Sequence, residues 1–542
     1  MLILREFGSN GITHSAGVVI VVVIGGILAA CNGQLNTWAD DGSPDEEVGD
    51  ASTDTEGISS GETPIPVLSL RPLPATADLR IIDDLNRDVL LRGVNITSLG
   101  EYWQGDPTQP PTLPTTESDW QAMASLGVSS VRLVVHWSRI EPERGVIDAD
   151  YLDAIDDYVT AAAAHGIYTV IDMHQDAYTA AIFTPSDEIC PEGTHPAKGW
   201  DGAPKWAVYT DGLSTCTPGD RNASPAVQAA WNYFYDNHDG IRDHFVSSWA
   251  AVAARFAGRA EVAGYDLINE PEVPRPSAEL TPLYDQLLFD TVAAIREAES
   301  QADFQHLVFI EPAIPAGNPD FGLVIPDPLR IGLDTENLVS APHNYAETIG
   351  IPGIEVTFEE MNELLLLVAS TFGVPTWIGE YGFWSTSTST LEKLARYAAD
   401  EDRRLLGGTW WQWRQPCGDP HSIGPTGEYE VVHLNRLGCP GDIELGQTEE
   451  FVRVLSRGYP RAAPGRLVSL SSDPSNGLLM LEATAFDAGG ELVVWTPTTE
   501  ATHHVGLVGL SDLRALDVSG GRILFATVDA PGPYSLRVEP KR

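Results

Sequence analysis

The amino-acid sequence predicts an α/β protein: a (β/α)8 TIM barrel followed by a C-terminal antiparallel β-sandwich domain. Three observations lead to this fold class. The chain has 542 residues, 43% of them hydrophobic, which is enough to bury one large core and a smaller one. Eight apolar, β-branched segments alternate with helical patterns, and shorter alternating segments follow from about residue 460. Intrinsic disorder and fibrous structures are thereby excluded.

The eight barrel segments have the composition of buried parallel strands. Helical stretches such as 151–166 and 244–258 lie between several of them, with apolar residues at helical spacing and a glycine at the end. Repeated strand–helix units of this number close into a barrel. The strands are predicted at 90–96, 128–137, 168–174, 262–270, 307–312, 337–345, 375–383 and 407–413.

The first 64 residues are predicted to be an export signal and a tether. Arg5 precedes an apolar run over 17–30, which is short for a membrane span and typical of a signal peptide. The run closes in Leu-Ala-Ala-Cys, which resembles the lipobox of bacterial lipoproteins, so we predict a signal peptide over 1–31 with lipidation at Cys31. A plain signal peptide with a chance cysteine is the alternative. Residues 32–64 hold nine Asp and Glu and no basic residue, as in a flexible acidic tether.

The domain boundaries follow from these changes in composition. We predict the catalytic barrel over 65–458, with an insertion at about 177–245 between the third and fourth strands, and the β-sandwich over 459–542. The insertion is rich in Trp, Tyr and Phe, which favours an aromatic lid over the barrel mouth; a small satellite core is the alternative. The sandwich shows no site, and a structural appendage is its simplest interpretation.

Charge and cysteine content restrict the partners and the compartment. With 32 Lys and Arg against 77 Asp and Glu, the formal charge of −45 repels phosphate backbones, so we expect no nucleic-acid partner. Apart from Cys31, four cysteines remain, in two sequence-local pairs. We predict the disulfides Cys190–Cys216 and Cys417–Cys439, as expected of an exported protein, with free buried thiols as the alternative.

Polar residues stand in or at the C-terminal ends of six predicted strands, the side on which such barrels carry out chemistry. A single polar residue of this kind is more often structural, but convergence from six strands indicates a site. Two glutamates and eight further side chains are the candidates: Glu270, Glu380, Arg132, His174, Asp176, Asn269, His343, Tyr345, Trp411 and Trp413.

Glu270 and Glu380 end the fourth and seventh strands and are expected to face each other across the barrel mouth. Such a pair suits glycoside hydrolysis, with retention at about 5–5.5 Å between the carboxyl groups and inversion at a wider spacing. Mutual repulsion keeps one of them protonated. We expect Arg132 and Tyr345 to donate to Glu380, which makes Glu380 the ionised nucleophile and Glu270 the acid/base.

A strand-four Asn-Glu-Pro, a strand-seven Gly-Glu, a strand-six His-x-Tyr and a strand-two Arg together resemble glycoside hydrolase family 5. RGVNI, VIDMHQDAY, YDLINEP, WIGEYGF and GYPRAAPG look like its endoglycoceramidase branch. The resemblance implies the same roles for Glu270 and Glu380. It also implies a sugar subsite lined by Arg132, His174, Asp176, Asn269, His343, Tyr345 and Trp411. Trp413 is the alternative to Trp411.

The expected function is retaining hydrolysis of the bond between glycan and lipid in glycosphingolipids, by an exported monomer that is lipid-anchored at the cell envelope or surface, or secreted. Endoglycoceramidases carry a lysine in the loop after the first strand, whereas 97–103 has none, so the head sugar stays open between glucose and galactose. The alternatives are a β-glucanase or β-glucosidase acting on oligosaccharides or on other glycosylated lipids such as steryl glucosides, and a non-catalytic surface glycan-binding protein. No cofactor is expected, and no metal, because His136, His174 and His343 lie on different strands without HxxxH or CxxC spacing.

Overall fold

The computed structural model describes residues 70–349, 356–384, 386–421, 433–498 and 503–540. The predicted signal peptide, the tether and the lipidation site at Cys31 lie outside the described residues. Within the described part of the chain, no helix has both the length and the apolar character that a membrane-spanning helix needs.

Eight parallel strands form the predicted barrel. Three short strands precede it: β1 (Ala75–Ala77), β2 (Arg80–Ile82) and β3 (Arg87–Asp88). The barrel strands are β4 (Arg92–Ile96), β5 (Ser130–Val135), β6 (Tyr168–Met173), β7 (Val262–Asp266), β8 (Leu307–Ile310), β9 (Leu338–Ser340), β10 (Trp377–Tyr381) and β11 (Gly407–Trp410). Each coincides with one predicted segment. Neighbours pair in parallel around the sheet, and a bridge from Ser340 to Thr376 links β9 to the segment before β10.

Helices surround the barrel and cover its apolar outer face. They are α1 (Glu117–Ser125), α2 (Trp137–Ile140), α3 (Ala149–Ala164), α4 (Pro225–Tyr235), α5 (Ile241–Phe256), α6 (Ser277–Ala298), α7 (Pro328–Ile331), α8 (Phe358–Phe372), α9 (Thr388–Arg404) and α10 (Glu449–Leu455). Local sequence sets their ends. Helix α8 begins with a Thr357–Glu360 capping box and ends at Gly373 in the left-handed conformation.

The barrel interior is apolar away from the mouth. Val170, Phe309 and Trp377 belong to a cluster of buried side chains contributed by the strands. The polar side chains of the interior are therefore concentrated toward the C-terminal ends of the strands, where the loops also converge. This division places chemistry at the mouth and packing below it.

The C-terminal domain is the expected antiparallel sandwich. Its strands are β14 (Tyr459–Pro464), β15 (Arg466–Asp473), β16 (Leu478–Ala485), β17 (Glu491–Pro497), β18 (His503–Val508), β19 (Leu510–Val518), β20 (Gly521–Val528) and β21 (Gly532–Pro540). One sheet has the order β15-β16-β21-β18, and the other contains β14, β17, β20 and β19. Gly465 has φ +76° at the passage from β14 to β15, where a Cβ would lie 2.2 Å from the Thr484 carbonyl oxygen, so this position requires glycine.

The second sheet of the sandwich also contains the first three strands of the described chain. Its order is β1-β2-β3-β14-β17-β20-β19, and β3 pairs with β14 through Asp88 and Ala463. The prediction that the barrel begins at residue 65 is therefore wrong for these strands, because they bond to the sandwich before the chain enters the barrel at Arg92. The chain thus links the two domains twice.

Both predicted disulfides are present, Cys190–Cys216 and Cys417–Cys439. The first braces the insertion after β6, and the second braces the loop after β11, which contains the hairpin β12 (Asn435–Gly438) and β13 (Ile443–Gln447). Two disulfides fit an oxidising, extracytoplasmic compartment.

The aromatic residues of the insertion are only in small part a lid. Trp231, Phe234 and Tyr235 are buried on α4, and Phe234 packs against Trp137 of the barrel. They extend the main core, so they form neither the predicted lid nor the separate satellite core that was its alternative. Trp200, in contrast, is half-buried and lies at the mouth against His421.

Candidate active site

Glu270 and Glu380 face each other at the C-terminal mouth of the barrel. Glu380 lies within β10, and Glu270 follows the end of β7 at Asp266. A carboxylate oxygen of Glu270 lies within 4.8 Å of one of Glu380. The Glu380 side chain is 6% exposed and that of Glu270 is 24% exposed, so Glu270 is on the open side of the pair.

Arg132 is the fully buried cation beside this pair. Its Nη1 donates to Glu380 Oε1 at 2.8 Å, and its Nη2 donates to Asn269 Oδ1 at 3.0 Å. Because these bonds are charge-assisted, they hold both acceptors in one orientation. Three further carboxylates within 3.1 Å compensate the guanidinium charge: Asp172, Asp266 and Glu311.

Tyr345 and His343 follow β9 and complete the polar contacts of the pair. The Tyr345 hydroxyl donates to Glu380 Oε2 at 2.9 Å, so each oxygen of Glu380 has a donor. His343 Nδ1 lies 2.8 Å from Glu270 Oε1 and 3.5 Å from Glu380 Oε2, and its Nε2 lies 3.4 Å from Glu311. The imidazole is thus placed among three carboxylates.

The backbone at Glu270 is fixed in an unusual conformation. Its φ of +36° lies in the left-handed region, which costs a residue other than glycine about 1–3 kcal/mol. Gln175 Nε2 donates to the carbonyl oxygens of Asn269 and Glu270 at 2.8 and 3.1 Å. The Glu270 N–H donates to Glu311 Oε2 at 2.9 Å. These bonds determine where the Glu270 carboxylate points.

His174 and Trp411 form a second wall of the pocket. Their rings stack with centroids 5.3 Å apart and 14° between the planes. His174 Nδ1 lies 2.7 Å from Asp172 Oδ2, and Asp172 contacts Arg132, which joins this wall to the carboxylate pair. Burial would lower the pKa of His174, but the charge of Asp172 outweighs it and raises the pKa well above its ordinary value.

Asp176 lies in the same wall, with its Oδ2 3.8 Å from His174 Nε2. Arg221 contacts Asp176 Oδ1, and His421 contacts Oδ2. Burial would raise the pKa of Asp176, but these two cations outweigh it and hold the pKa well below its ordinary value. Cationic donors occupy both oxygens of Asp176, so these contacts are ion pairs. They leave few free ligand atoms for a metal ion or cofactor.

The pKa values of the pair depend on His343. Burial would raise the pKa of Glu270, but the hydrogen bond and charge of His343 outweigh it and lower the pKa. Burial and the charge of Glu270 raise the pKa of Glu380, against His343 and Arg132. Burial would lower the pKa of His343, but Glu311 and Glu380 raise it well above its ordinary value. In this pocket the proton therefore favours His343, which reverses the expected ranking of Glu270 and Glu380.

Trp413 does not line this pocket. Its side chain is buried in the main core, and its Nε1 donates to Asp119 Oδ1 at 3.0 Å. The prediction that Trp413 contacts the sugar is wrong, because β11 ends at Trp410 and strand alternation does not continue to residue 413.

The structure brings the other predicted site residues into one connected network: Glu270, Glu380, Arg132, His174, Asp176, Asn269, His343, Tyr345 and Trp411. Three carboxylates of this network were not predicted, Glu311, Asp172 and Asp266. The signal that selected Glu270 and Glu380, a carboxylate in an apolar strand segment, also marks these three. Arg221 and His421 lie in loops, where no periodic pattern marks them.

Comparison with known proteins supports the same chemistry. The family model of cellulases, glycosyl hydrolase family 5, matches residues 83–416, which is more than half of the chain. The chain belongs to glycosyl hydrolase family 5. It is therefore a glycoside hydrolase, and the matched range includes all eight barrel strands of this family 5 enzyme.

Three relatives of this family 5 enzyme carry related names. A crystal structure of an endogalactoceramidase is 34% identical with a TM-score of 0.77, over 87% of this chain and 100% of that one. Endo-glycoceramidase II from Rhodococcus sp., solved as a lactosyl-enzyme intermediate, is 25% identical with a TM-score of 0.63, over 86% and 100% of the two chains. Endoglycoceramidase I from Rhodococcus hoagii (strain 103S) is 24% identical over 496 residues, which are 84% of this chain and 86% of that protein.

Proposed function

We propose that this enzyme hydrolyses the bond between the glycan and the lipid of glycosphingolipids with retention of configuration, with Glu380 as nucleophile and Glu270 as acid/base. The chemistry rests on one observation, the approach of the two carboxylates to within 4.8 Å. This close approach favours the roughly 5–5.5 Å between the carboxyl groups of retaining enzymes over the roughly 6.5–9.5 Å of inverting enzymes. The names of the relatives, endogalactoceramidase and endoglycoceramidase, support the substrate class.

In the first step, a Glu380 oxygen forms a bond to the anomeric carbon while the bond from that carbon to the lipid oxygen breaks. Glu270 gives its proton to the departing oxygen, which leaves as the hydroxyl of ceramide. In the second step, Glu270 takes a proton from a water molecule, whose oxygen attacks the anomeric carbon and displaces Glu380. The products are the free glycan and ceramide, and both carboxyl groups return to their initial states.

The reversed pKa ranking of Glu270 and Glu380 is compatible with these roles. Glu270 is the more exposed of the two, and a bound substrate excludes water from it, which raises its pKa. Its proton can come from His343, whose Nδ1 lies 2.8 Å away. Glu380 keeps the donors Arg132 and Tyr345 throughout, so its charged form remains the better stabilised one when Glu270 becomes neutral.

The sugar ring is proposed to lie against Asn269, His174, Asp176 and Trp411. One N–H of the Asn269 amide donates to the Gln175 carbonyl oxygen, and the amide has a second N–H for the sugar 2-hydroxyl. His174 Nε2 is buried without a hydrogen-bond partner among the described residues, and 3.8 Å separates it from Asp176. A sugar hydroxyl between them would accept from the imidazolium and donate to the carboxylate.

Mass spectrometry of the products tests the proposed function. The purified protein is incubated with a mixture of gluco- and galacto-linked glycosphingolipids, and separately with cello-oligosaccharides and a steryl glucoside. We expect intact oligosaccharide together with free ceramide from the first mixture, and the released glycan identifies the head sugar. Untouched glycosphingolipids combined with cleavage of a cello-oligosaccharide or steryl glucoside would instead assign the enzyme to those substrates.

We also propose that the enzyme is anchored to a membrane through a lipid on Cys31. The support is the lipobox-like sequence at 28–31, the acidic segment that follows it, and the two disulfides. Metabolic labelling with an alkyne fatty acid in a bacterial host is expected to label the wild type and not the Cys31→Ala variant. Equal labelling of the two, or none in either, would contradict the anchor.

A further inference from the structure

Two loops from outside the barrel strands meet on the carboxylate of Asp176. Arg221 Nη2 contacts Oδ1 and His421 Nε2 contacts Oδ2. Arg221 belongs to the insertion after β6, and His421 belongs to the loop after β11. Asp176 is 4% exposed, so both ion pairs lie in a largely desolvated environment, where such contacts strongly constrain geometry.

Arg221 is held in place by its own loop. It begins the 3-10 turn Arg221–Ala223, in which the Asp220 side chain caps the turn by accepting from the Asn222 N–H at 2.7 Å. The guanidinium carbon lies 4.5 Å from the centroid of the Trp200 ring, a cation–π contact.

His421 is held in a similar way. Its Nδ1 lies 2.7 Å from Asp419 Oδ1, which also accepts from the His421 N–H at 2.8 Å. The Cys417–Cys439 disulfide closes this loop. The Trp200 ring, which carries Arg221 on its face, also contacts the His421 ring at 5.2 Å between centroids. Trp200 therefore joins the two loops at the pocket.

We propose that Arg221 and His421 are positioning residues of the hydrolase: together they orient Asp176 for the sugar, and Arg221 also couples that sugar contact to the acid/base Glu270. Arg221 Nη2 lies 3.9 Å from Glu270 Oε2 as well as against Asp176. Sugar recognition then depends partly on two loops that lie outside the barrel strands. This inference rests on the roles proposed above for Glu270 and Asp176.

The charges around Glu270 give this coupling a measurable consequence. The charged groups that face Glu270 are His343, Glu380, Asp176, Glu311 and Arg221. Arg221 is one of the cations that lower the pKa of Glu270, against burial and the charge of Asp176. Loss of Arg221 therefore raises the pKa of Glu270, and the proton that Glu270 shares with His343 is kept to a higher pH.

The pH profile of kcat/KM tests the coupling on two β-glycosides of the same sugar, an alkyl glycoside that needs an acid and a dinitrophenyl glycoside that does not. For Arg221→Gln on the alkyl glycoside, we expect the alkaline limb to move up by about 0.5–1 pH unit. Arg221→Lys keeps the charge and should leave the limb near its wild-type position. Arg255→Gln removes the same charge from an outer helix and is the matched control. An unchanged limb in Arg221→Gln overturns the coupling.

Orientation of Asp176 is tested by KM. His421→Gln and Arg221→Gln should each raise KM about tenfold or more with a smaller change in kcat. Because both act through one carboxylate, the double variant should raise KM by clearly less than the product of the single effects. Single effects that multiply, or no effect of either variant, would overturn the shared role.

The outcome for this inference is separable from that for the lipid substrate. If the wild type leaves glycosphingolipids intact but cleaves the alkyl glycoside, the proposed substrate fails while the pH limbs and the KM values still decide the roles of Arg221 and His421. If glycosphingolipids are cleaved and the Arg221→Gln limb coincides with the wild type, the substrate stands and the coupling falls.

Discussion

At the scale of single residues, the two glutamates differ in how they are held. Arg132 and Tyr345 donate to different oxygens of Glu380, whereas Glu270 has His343 and a more exposed position. In Glu380→Gln the amide keeps the volume of the side chain but is a far weaker nucleophile. We expect near-normal thermal unfolding and a loss of turnover of about a thousandfold or more. Substantial residual hydrolysis of a glycosphingolipid would rule out Glu380 as the nucleophile.

Glu270 has a different signature, because its role is proton transfer. Glu270→Ala should lose nearly all activity on a substrate with a poor leaving group, such as ceramide. On an activated aryl glycoside the first step needs no acid, and the space left by the side chain admits a small nucleophile. We therefore expect azide to restore turnover of that substrate and to form a glycosyl azide. The same azide experiment on Glu380→Ala is the comparison. Absence of rescue in Glu270→Ala would count against the acid/base role of Glu270.

Most site residues in or just after the barrel strands could be predicted from the sequence, although Asp172, Asp266 and Glu311 were not. The contributions of the long loops could not be predicted. A charged residue in an apolar strand segment is costly to bury without a function or a partner. This made it possible to predict Glu270, Glu380 and Arg132 from the sequence. Arg221 and His421 reach Asp176 only through the folding of two long loops, for which a single sequence contains no distance information. Trp413 was misplaced because the strand ends three residues earlier than its alternating pattern indicated.

At the scale of elements, buried Glu272 joins the insertion to the segment that carries Glu270. It accepts from Gln228 Nε2 of α4 at 3.1 Å and from the Gly317 N–H at 3.0 Å. Burial raises the pKa of Glu272 to about 8. The folded protein thus binds this proton more tightly than the unfolded chain, so the stability that it contributes is complete at low pH and is lost as the pH rises from about 4.3 to about 8.

Glu272→Gln removes this pH dependence, because the amide is neutral at every pH and keeps an acceptor for Gly317. Relative to the wild type, the variant should gain thermal stability as the pH rises from 5 to 9, by about 1 °C in Tm for each kcal/mol of ionisation cost removed in a cooperative unit of this size. Scanning calorimetry at the two pH values measures the change. The exposed Glu297→Gln should keep a constant difference from the wild type. A constant difference for Glu272→Gln as well would show that Glu272 is already ionised in the fold at pH 5.

Among the elements, the eight barrel strands were predictable, and the aromatic insertion was only partly so. Continuous apolar strands are distinct from helical patterns because their side chains are buried on both faces. The insertion has no comparable pattern of buried positions. From the sequence alone, its aromatic residues fit a lid and a core equally well. Packing of Phe234 against Trp137 decides for the core, and it depends on the position of α4 in the folded chain.

At the scale of the whole molecule, the barrel and the sandwich are joined by covalent and ionic links. The strands β1, β2 and β3 are too short to show a pattern, so the sequence did not reveal that they enter the sandwich before the barrel begins. A second link is the buried carboxylate of Asp402 on α9. It contacts Arg92 of β4 at 2.7 Å, Arg457 at 3.0 Å and Ser472 of the sandwich.

Asp402→Ala should therefore destabilise the molecule as a unit. It leaves the guanidinium groups of Arg92 and Arg457 buried with one carboxylate fewer, a change that costs about 3–5 kcal/mol in comparable pairs. Asp517→Ala removes an Asp–Arg pair whose carboxylate is 76% exposed, and it should cost about 1 kcal/mol or less. Calorimetry should show one cooperative transition that moves down in Asp402→Ala and stays nearly in place in Asp517→Ala. A wild-type profile with two separated transitions, only one of which moves in Asp402→Ala, would mean that the sandwich unfolds independently and that Asp402 does not couple it to the catalytic barrel.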